Sequence, residues 1–293
     1  MTYCIYTDSE VPEHAGNFDH IIPLALGGSD RFTIWSDKSY NSDMGSQVDG
    51  RIANDPLIML ARRNADARGH GDKPPIPVWK KTTFDGRPVQ LTLGNEKIEL
   101  WDARERRMLD EAEWAGQAVE TTLRIDRGPP LKFAAKVALA GGFFVYGDLF
   151  RDNFDCDELR SILNVDIADQ EAVRRSAGKA QLMDRWHPDA LSGGSAAHFK
   201  HMSEVSGRTT VIFVPHDNGL SVHIGVVGAY LASIVIEGDG TGFPSEGDHD
   251  LGHVILLHPG DMETMSFREH TRWSLDALGM ASDADPDDGE PAP

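Results

Sequence analysis

The sequence predicts an α+β protein, in which helices and antiparallel strands fall in separate runs rather than in alternating βαβ units. Apolar residues recur at helical spacing in two places: Met44, Val48 and Ile52, and the run Leu131–Phe144 with Phe133, Val137, Leu139 and Phe144. From Arg208 onward the chain is a succession of β-rich runs cut by Gly, Pro and Asp. Asp85-Gly86 stands between two alternating runs, the strongest short-range hairpin signal available. With 293 residues, 40% hydrophobic and 26% charged, the chain can bury one large core or two ordinary ones and is neither disordered nor collagen-like.

Residues 1–68 form the first region. Asn17–Leu24 is a short apolar run with Pro23 near its end, Gly27-Gly28-Ser29-Asp30 is a turn, and Arg31–Trp35 is a second strand. From about Ser42 the period becomes helical. Asp55-Pro56 then supplies an N-cap and an N1 proline for a helix over Leu57–Arg63. Gly69–Pro77 is a cluster of breakers that links to the second region, 69–127. There Val78–Leu100 reads as strands flanking Asp85-Gly86 and Gly94-Asn95. Trp101–Thr121 reads as a helix, with Leu109, Glu113 and Arg106 or Arg107 at partner spacings.

Gly128-Pro129-Pro130 opens the third region, 128–280, a mixed helical and antiparallel-sheet unit. Its helices are Leu131–Phe144 and Cys156–Leu163; its strands are Thr209–Val214, Leu220–Val227, Ala229–Glu237 and His253–Leu257. Alternation through Leu220-Ser221-Val222-His223-Ile224-Gly225-Val226 suits a sheet with one buried face. Residues 281–293 hold five acids and three prolines without apolar periodicity, and read as a disordered acidic tail.

The net charge of −19 excludes a protein coated in positive potential for nucleic acid. The charge is uneven, however: residues 51–136 carry 16 basic and 13 acidic residues, whereas residues 137–293 carry 10 and 26. A polyanion would meet the chain in that middle stretch. No apolar run exceeds about ten residues, Val137–Tyr146 among the longest, which predicts no membrane partner. Met1-Thr2-Tyr3-Cys4 shows no basic stretch leading into an apolar one, and two cysteines make no disulfide framework, so a cytoplasmic location is expected.

Chemistry concentrates near the N-terminus, in Asp19-His20-Ile21-Ile22-Pro23-Leu24-Ala25-Leu26-Gly27-Gly28, followed by Asn41-Ser42-Asp43-Met44-Gly45-Ser46-Gln47-Val48-Asp49 and Asn54-Asp55-Pro56-Leu57. This pattern, spanning residues 3–63, resembles the HNH endonucleases, in the subfamily with a Glu/Asp-His-Ile-Ile-Pro-x-Ala-Leu-Gly-Gly core. The resemblance implies an N-terminal ββα-metal module, a hairpin carrying the histidine and a helix carrying an asparagine. It also implies hydrolysis of phosphodiester bonds in DNA, or in RNA. On it His20 is the general base, and Asp19 and Asn41 hold one divalent cation, Mg²⁺ or Mn²⁺. The residue types suit that chemistry. A neutral imidazole takes a proton from water near neutral pH, and one carboxylate leaves a hard cation Lewis-acidic enough to stabilise a leaving oxygen.

The sequence also departs from the family. The first Cys-x-x-Cys pair is reduced to Cys4-Ile5-Tyr6-Thr7, and the second falls at Asp37-Lys38-Ser39-Tyr40, with no thiol. Cys4 and Asp37, even with His14, fall short of a closed tetrahedral site, so no structural zinc is expected, and Tyr6, Phe18, Trp35 and Tyr40 are expected to pack in its place. The family's middle Asn has no clear counterpart between Gly28 and Trp35. Asp49 matches an acidic position expected to brace the hairpin.

Arg51, Arg62, Arg63 and Arg68 follow this site at helical spacings and are expected to clamp phosphates. The C-terminal region is left to recognise, regulate, or meet a protein partner or a second copy. The alternative is an inactive HNH-fold protein that binds nucleic acid or protein. Elsewhere, His198 with His201, and His249, His253 and His258, read as surface or hydrogen-bonded histidines. Gly238–Gly242 reads as a turn, and Cys156, between two aspartates, as an unreactive thiol.

Overall fold

A computed structural model of the chain describes residues 1–279 except 69, 70, 72, 95, 96, 193, 194 and 259. The acidic tail and the Asn95 end of the Gly94-Asn95 turn lie outside the described residues. The fold is mixed α+β and its strand pairings are antiparallel.

The N-terminal residues form two small hairpins: β1 (Thr2–Cys4) with β2 (Ser9–Val11), and β3 (Gly16–His20) with β4 (Thr33–Asp37). The β3–β4 connection is closed by two glycines. Gly27 takes a left-handed φ of 78°, and a Cβ on Gly28 would lie 1.8 Å from the Ile22 carbonyl oxygen. A helical segment follows at once, as α1 (Lys38–Met44), a π-helical turn over Gly45–Asp49, and α2 (Gly50–Ala53). Asp37 starts it by accepting the Ser39 and Tyr40 amides at 2.9 and 3.0 Å. Asp55 does the same for α3 (Pro56–Asn64), taking the Leu57 and Ile58 amides, with Pro56 in the first turn as the sequence predicts.

Residues 78–121 form a five-stranded sheet: β5 (Val78–Phe84), β6 (Arg87–Leu93), β7 (Ile98–Asp102), β8 (Arg107–Met108) and β9 (Val119–Thr121). The Asp85-Gly86 hairpin forms, with φ of 49° and 68° at its two residues. The expected helix over Trp101–Thr121 does not. Only α4 (Glu111–Trp114) is helical there. Leu100 and Leu109 both enter this sheet's own core with Phe84, Val89 and Leu91, and the fully buried Asp102 folds the intervening loop by accepting the Arg104 and Glu105 amides. The Arg107–Glu113 pairing does exist, bidentate at 2.8 Å, but it bridges a strand to α4 rather than two turns of one helix.

The remainder is built on α5 (Gly128–Tyr146), α6 (Asp148–Asn153), α7 (Cys156–Asn164), α8 (Gln170–Ser176) and a six-stranded sheet ordered β10-β13-β12-β11-β14-β15. Those strands are β10 (Gln181–Asp184), β11 (Thr209–His216), β12 (Gly219–Val226), β13 (Ala229–Glu237), β14 (His253–His258) and β15 (Asp261–Ser266). Helices α9 (Pro188–Ser192), α10 (Ser195–Ser206) and α11 (Phe267–Ala277) complete it. This sheet is buried on both faces, where alternation in β12 suggested one. Val211 and Phe213 of β11 join the core around α5, while the intervening Ile212 joins Ala196, Phe199 and Met202 of α10. Double coverage explains the unbroken apolar run in β11.

The first 60 residues share one core with this C-terminal unit. A single cluster runs from Cys4, Ile21 and Ile58 through Leu131 and Val137 of α5 to Leu257. α5 is the hinge of that packing, lying against the sheet on one side and the π turn on the other.

Candidate functional site

Strand β3 alternates, so Asn17 and Asp19 face inward toward α1 and α5, while Phe18 and His20 face outward. The two predicted chemical residues therefore part company. Asp19 is 4% exposed; it accepts a hydrogen bond from the Tyr6 hydroxyl at 2.9 Å, and Lys136 Nζ lies 3.4 Å from the same oxygen. Lys136, fully buried on α5, also donates to Asp49 Oδ2 at 2.8 Å and to the His20 carbonyl at 3.2 Å. Three acceptors thus surround the three N–H donors of one ammonium.

Burial alone would lower the Lys136 pKa; the Asp49 and Asp19 carboxylates outweigh it and hold the ammonium above its ordinary value. Burial lifts the Asp49 carboxyl, against the pull of Lys136. Burial, together with the neighbouring Asp19 charge, pushes the Tyr6 hydroxyl well above the usual phenol range, so it stays a donor. Asp49 braces the hairpin, as expected of an acid there, but does so through the lysine and not by touching the strand.

His20 carries its own partner. Its Nε2 lies 2.8 Å from Asp30 Oδ1, so the carboxylate accepts the Nε2–H and leaves the lone pair of a neutral ring on Nδ1. Asp30 therefore fixes the orientation of the His20 ring. The signal was legible in part, since a hairpin turn returns its last residue beside the end of the preceding strand.

Asn41, on α1, donates from Nδ2 to Asn17 Oδ1 at 3.2 Å. It meets the inward face of β3, one pleat from Asp19, and not the face that carries His20. Tyr6 and Tyr40 stack at 5.2 Å, while Phe18 is 66% exposed and meets Trp35 in a T-shaped contact at 5.4 Å. Of the donors weighed for zinc, Cys4 is buried, His14 is exposed, and Asp37 is occupied capping α1.

As arranged, this donor set does not suit a divalent cation. Both inward carboxylates of the motif, Asp19 and Asp49, are already paired with a tethered ammonium, the asparagine amide is turned to Asn17, and no group of three or more His, Cys, Asp or Glu among the described residues is placed to hold a metal. The four arginines likewise have internal partners. Arg62 is 8% exposed and donates to the Ala53 carbonyl, Arg63 donates to the Gly94 carbonyl, Arg68 pairs with Asp66, and Arg51 reaches Asp126 at 3.5 Å. Arg62 in particular lies inside the fold and not on a phosphate-facing surface.

Lys136 was the residue to notice in the sequence. A lysine in the middle of an apolar core helix must be paired. Of the other candidates, Cys156 is buried and its thiol pushed up to about 11 by burial, which fits an inert role. His253 opens β14 and donates from Nδ1 to the Asp248 carbonyl at 2.9 Å, a local bond.

Family models, curated proteins and solved structures give no match to this chain. No helix among the described residues is long and apolar enough to cross a membrane.

Proposed function

We propose that this chain carries an HNH-derived ββα module that binds nucleic acid without cleaving it, a lysine ammonium standing where HNH endonucleases hold a divalent ion. The observation that carries the reading is the contact of Lys136 with Asp19 and Asp49 in the interior. A cation delivered by α5 neutralises the acid of the motif, has no donor left for a phosphate oxygen, and lies out of reach of water at His20. What remains is a hairpin-and-helix scaffold fused to a C-terminal core, with the least acidic stretch of the sequence beside it.

Supercoiled plasmid incubated with Mg²⁺ or Mn²⁺ tests this. The expected result is no nicking, and no rise in thermal midpoint with either ion, since an ion that binds the fold would stabilise it. Nicking that disappears in His20→Ala overturns the reading. That outcome would favour the second one, metal-dependent hydrolysis, for which the Asp30-oriented His20 on the outer face of the hairpin is the supporting feature.

A further inference from the structure

The five-stranded sheet buries one face and leaves the other open. Its inner face carries Phe84, Val89, Leu91 and Leu100. Its outer face carries Gln90, Trp101 and Met108 in one row across β6, β7 and β8, by the pairings Gln90 with Trp101 and Trp101 with Met108. Trp101 and Met108 are 38% and 43% exposed.

The same row is extended on β5 by a β-bulge. Trp79 pairs with Leu91 and Thr82 with Val89, so Lys80 and Lys81 together stand opposite Gln90 alone. Both lysines are exposed, breaking the inside–outside alternation of the strand, and neither has an ion-pair partner among the described residues. The bulge thus doubles the positive charge at one point of the row, with a half-exposed indole two strands away and no acid between them. The acids of that face, Glu99 and Glu120, lie one row to either side, opposite Thr92 and Thr83, and Glu99 is already paired with Lys97.

We infer that this outer face is a single-stranded nucleic-acid platform, on which Trp101 stacks a base and Lys80 and Lys81 take the neighbouring phosphates. The inference rests on the nucleic-acid-binding reading above and says where it happens. An indole offers a π-face that any base can cover, and lysine stems rooted two strands away, about 10 Å along the row, are long enough to bring their ammonium groups to the backbone beside a stacked base. A duplex hides its base faces, so this row favours unpaired strands. Charge complementarity is local: in a chain of net charge −19, two unpaired lysines at one bulge are where a polyanion is tolerated.

The test is fluorescence anisotropy of the full chain with labelled oligothymidylate and with a duplex of equal length, at low and moderate salt. Indole quenching is read in parallel. Expected is tighter binding of the single strand, with quenching. Trp101→Thr, a good strand former, should weaken it roughly tenfold or more. Lys80→Gln with Lys81→Gln should flatten the slope of log affinity against log salt by about 1.4. Circular dichroism melts matching the parent confirm that both variants are folded. Equal or tighter duplex binding overturns the inference, as does single-strand binding that neither variant changes; in both cases the nucleic-acid reading itself survives. No binding of either nucleic acid at low salt overturns both, and the plasmid assay judges non-hydrolysis separately.

Discussion

Replacing Lys136 with methionine keeps the apolar stem and deletes the charge at the centre of the N-terminal core. The ammonium is wholly buried, 2.8 Å from Asp49 Oδ2 and 3.4 Å from Asp19 Oδ2, and those two residues are 8% and 4% exposed. Removing one partner of a buried charge network leaves the others uncompensated, at a cost of about 3–5 kcal/mol. Domains are stable by about 5–15 kcal/mol, so the variant should sit close to unfolding at neutral pH.

The pH dependence has a definite sign. In the parent, the raised Lys136 pKa contributes stability that is present below the unfolded lysine value and lost as pH climbs through the folded one. The raised Asp49 carboxyl acts oppositely, costing stability at high pH and returning it as pH falls through its folded value. Without the ammonium only the carboxylate effect remains, so Lys136→Met should regain stability as pH is lowered from neutral through the raised Asp49 value. Adding Asp49→Asn should recover a large part of the loss at pH 7, because the stranded charge goes with its partner. Urea unfolding followed by tryptophan fluorescence measures all of this. A loss below about 1 kcal/mol, or a double variant as unstable as the sum of the singles, refutes the network.

Burial pushes His223 down to about 3 and His270 to about 4, so both are neutral in the fold and protonate first in the unfolded chain. Their stability is present above about pH 6.5 and lost as pH falls toward 4, at about 1.4 kcal/mol per pH unit for each histidine. His270→Leu should remove one histidine's share of that slope in denaturation curves between pH 7 and 5, and an unchanged slope counts against it. Asp55→Ala removes the α3 cap, worth about 1 kcal/mol, and strands Arg185, whose Nη2 lies 2.7 Å from Asp55 with both groups nearly buried. A loss above about 2 kcal/mol by urea titration is expected, whereas a loss of the cap alone would show that Arg185 is indifferent. A Cβ on Gly86 meets no neighbouring atom within 4 Å, but Gly86→Ala must take a φ of 68°, which predicts a loss of about 1–2 kcal/mol in the same assay and none if the hairpin turn relaxes.

What the sequence disclosed was local. The Asp55-Pro56 cap, the Asp85-Gly86 turn, the α5 helix and the four long strands of the C-terminal sheet each depend on a few adjacent residues whose preferences agree with the fold. Trp101–Thr121 reads as a helix because Arg106, Leu109 and Glu113 fall three and four apart, spacings that a helix could use, while the choice between helix and hairpin is made by Leu100 and Leu109 entering one small core. The candidate site was legible as a pair of adjacent residues and not as a site. Which way Asp19 and His20 turn follows from the pleat, but what meets Asp19 comes from α5, 117 positions further along. Only the oddity of a lysine in an apolar helix hinted at it.

A divalent ion and an ammonium can each balance the acid of an HNH-like motif, but they leave different things behind. An ion held by one carboxylate and an amide keeps open positions, and those positions are where phosphate and water would be activated. Lys136 keeps none. Its three donors face Asp49, Asp19 and the His20 carbonyl, it is tethered to a helix that is itself packed between a sheet and the π turn, and it is closed to solvent. The same contacts tie the hairpin, the end of the π turn and α5 together, so the charge balance that a metal would turn to chemistry here goes into holding three segments in register. His20, held by Asp30 on the opposite face, has no cation beside it, which is the arrangement from which the non-cleaving reading is proposed.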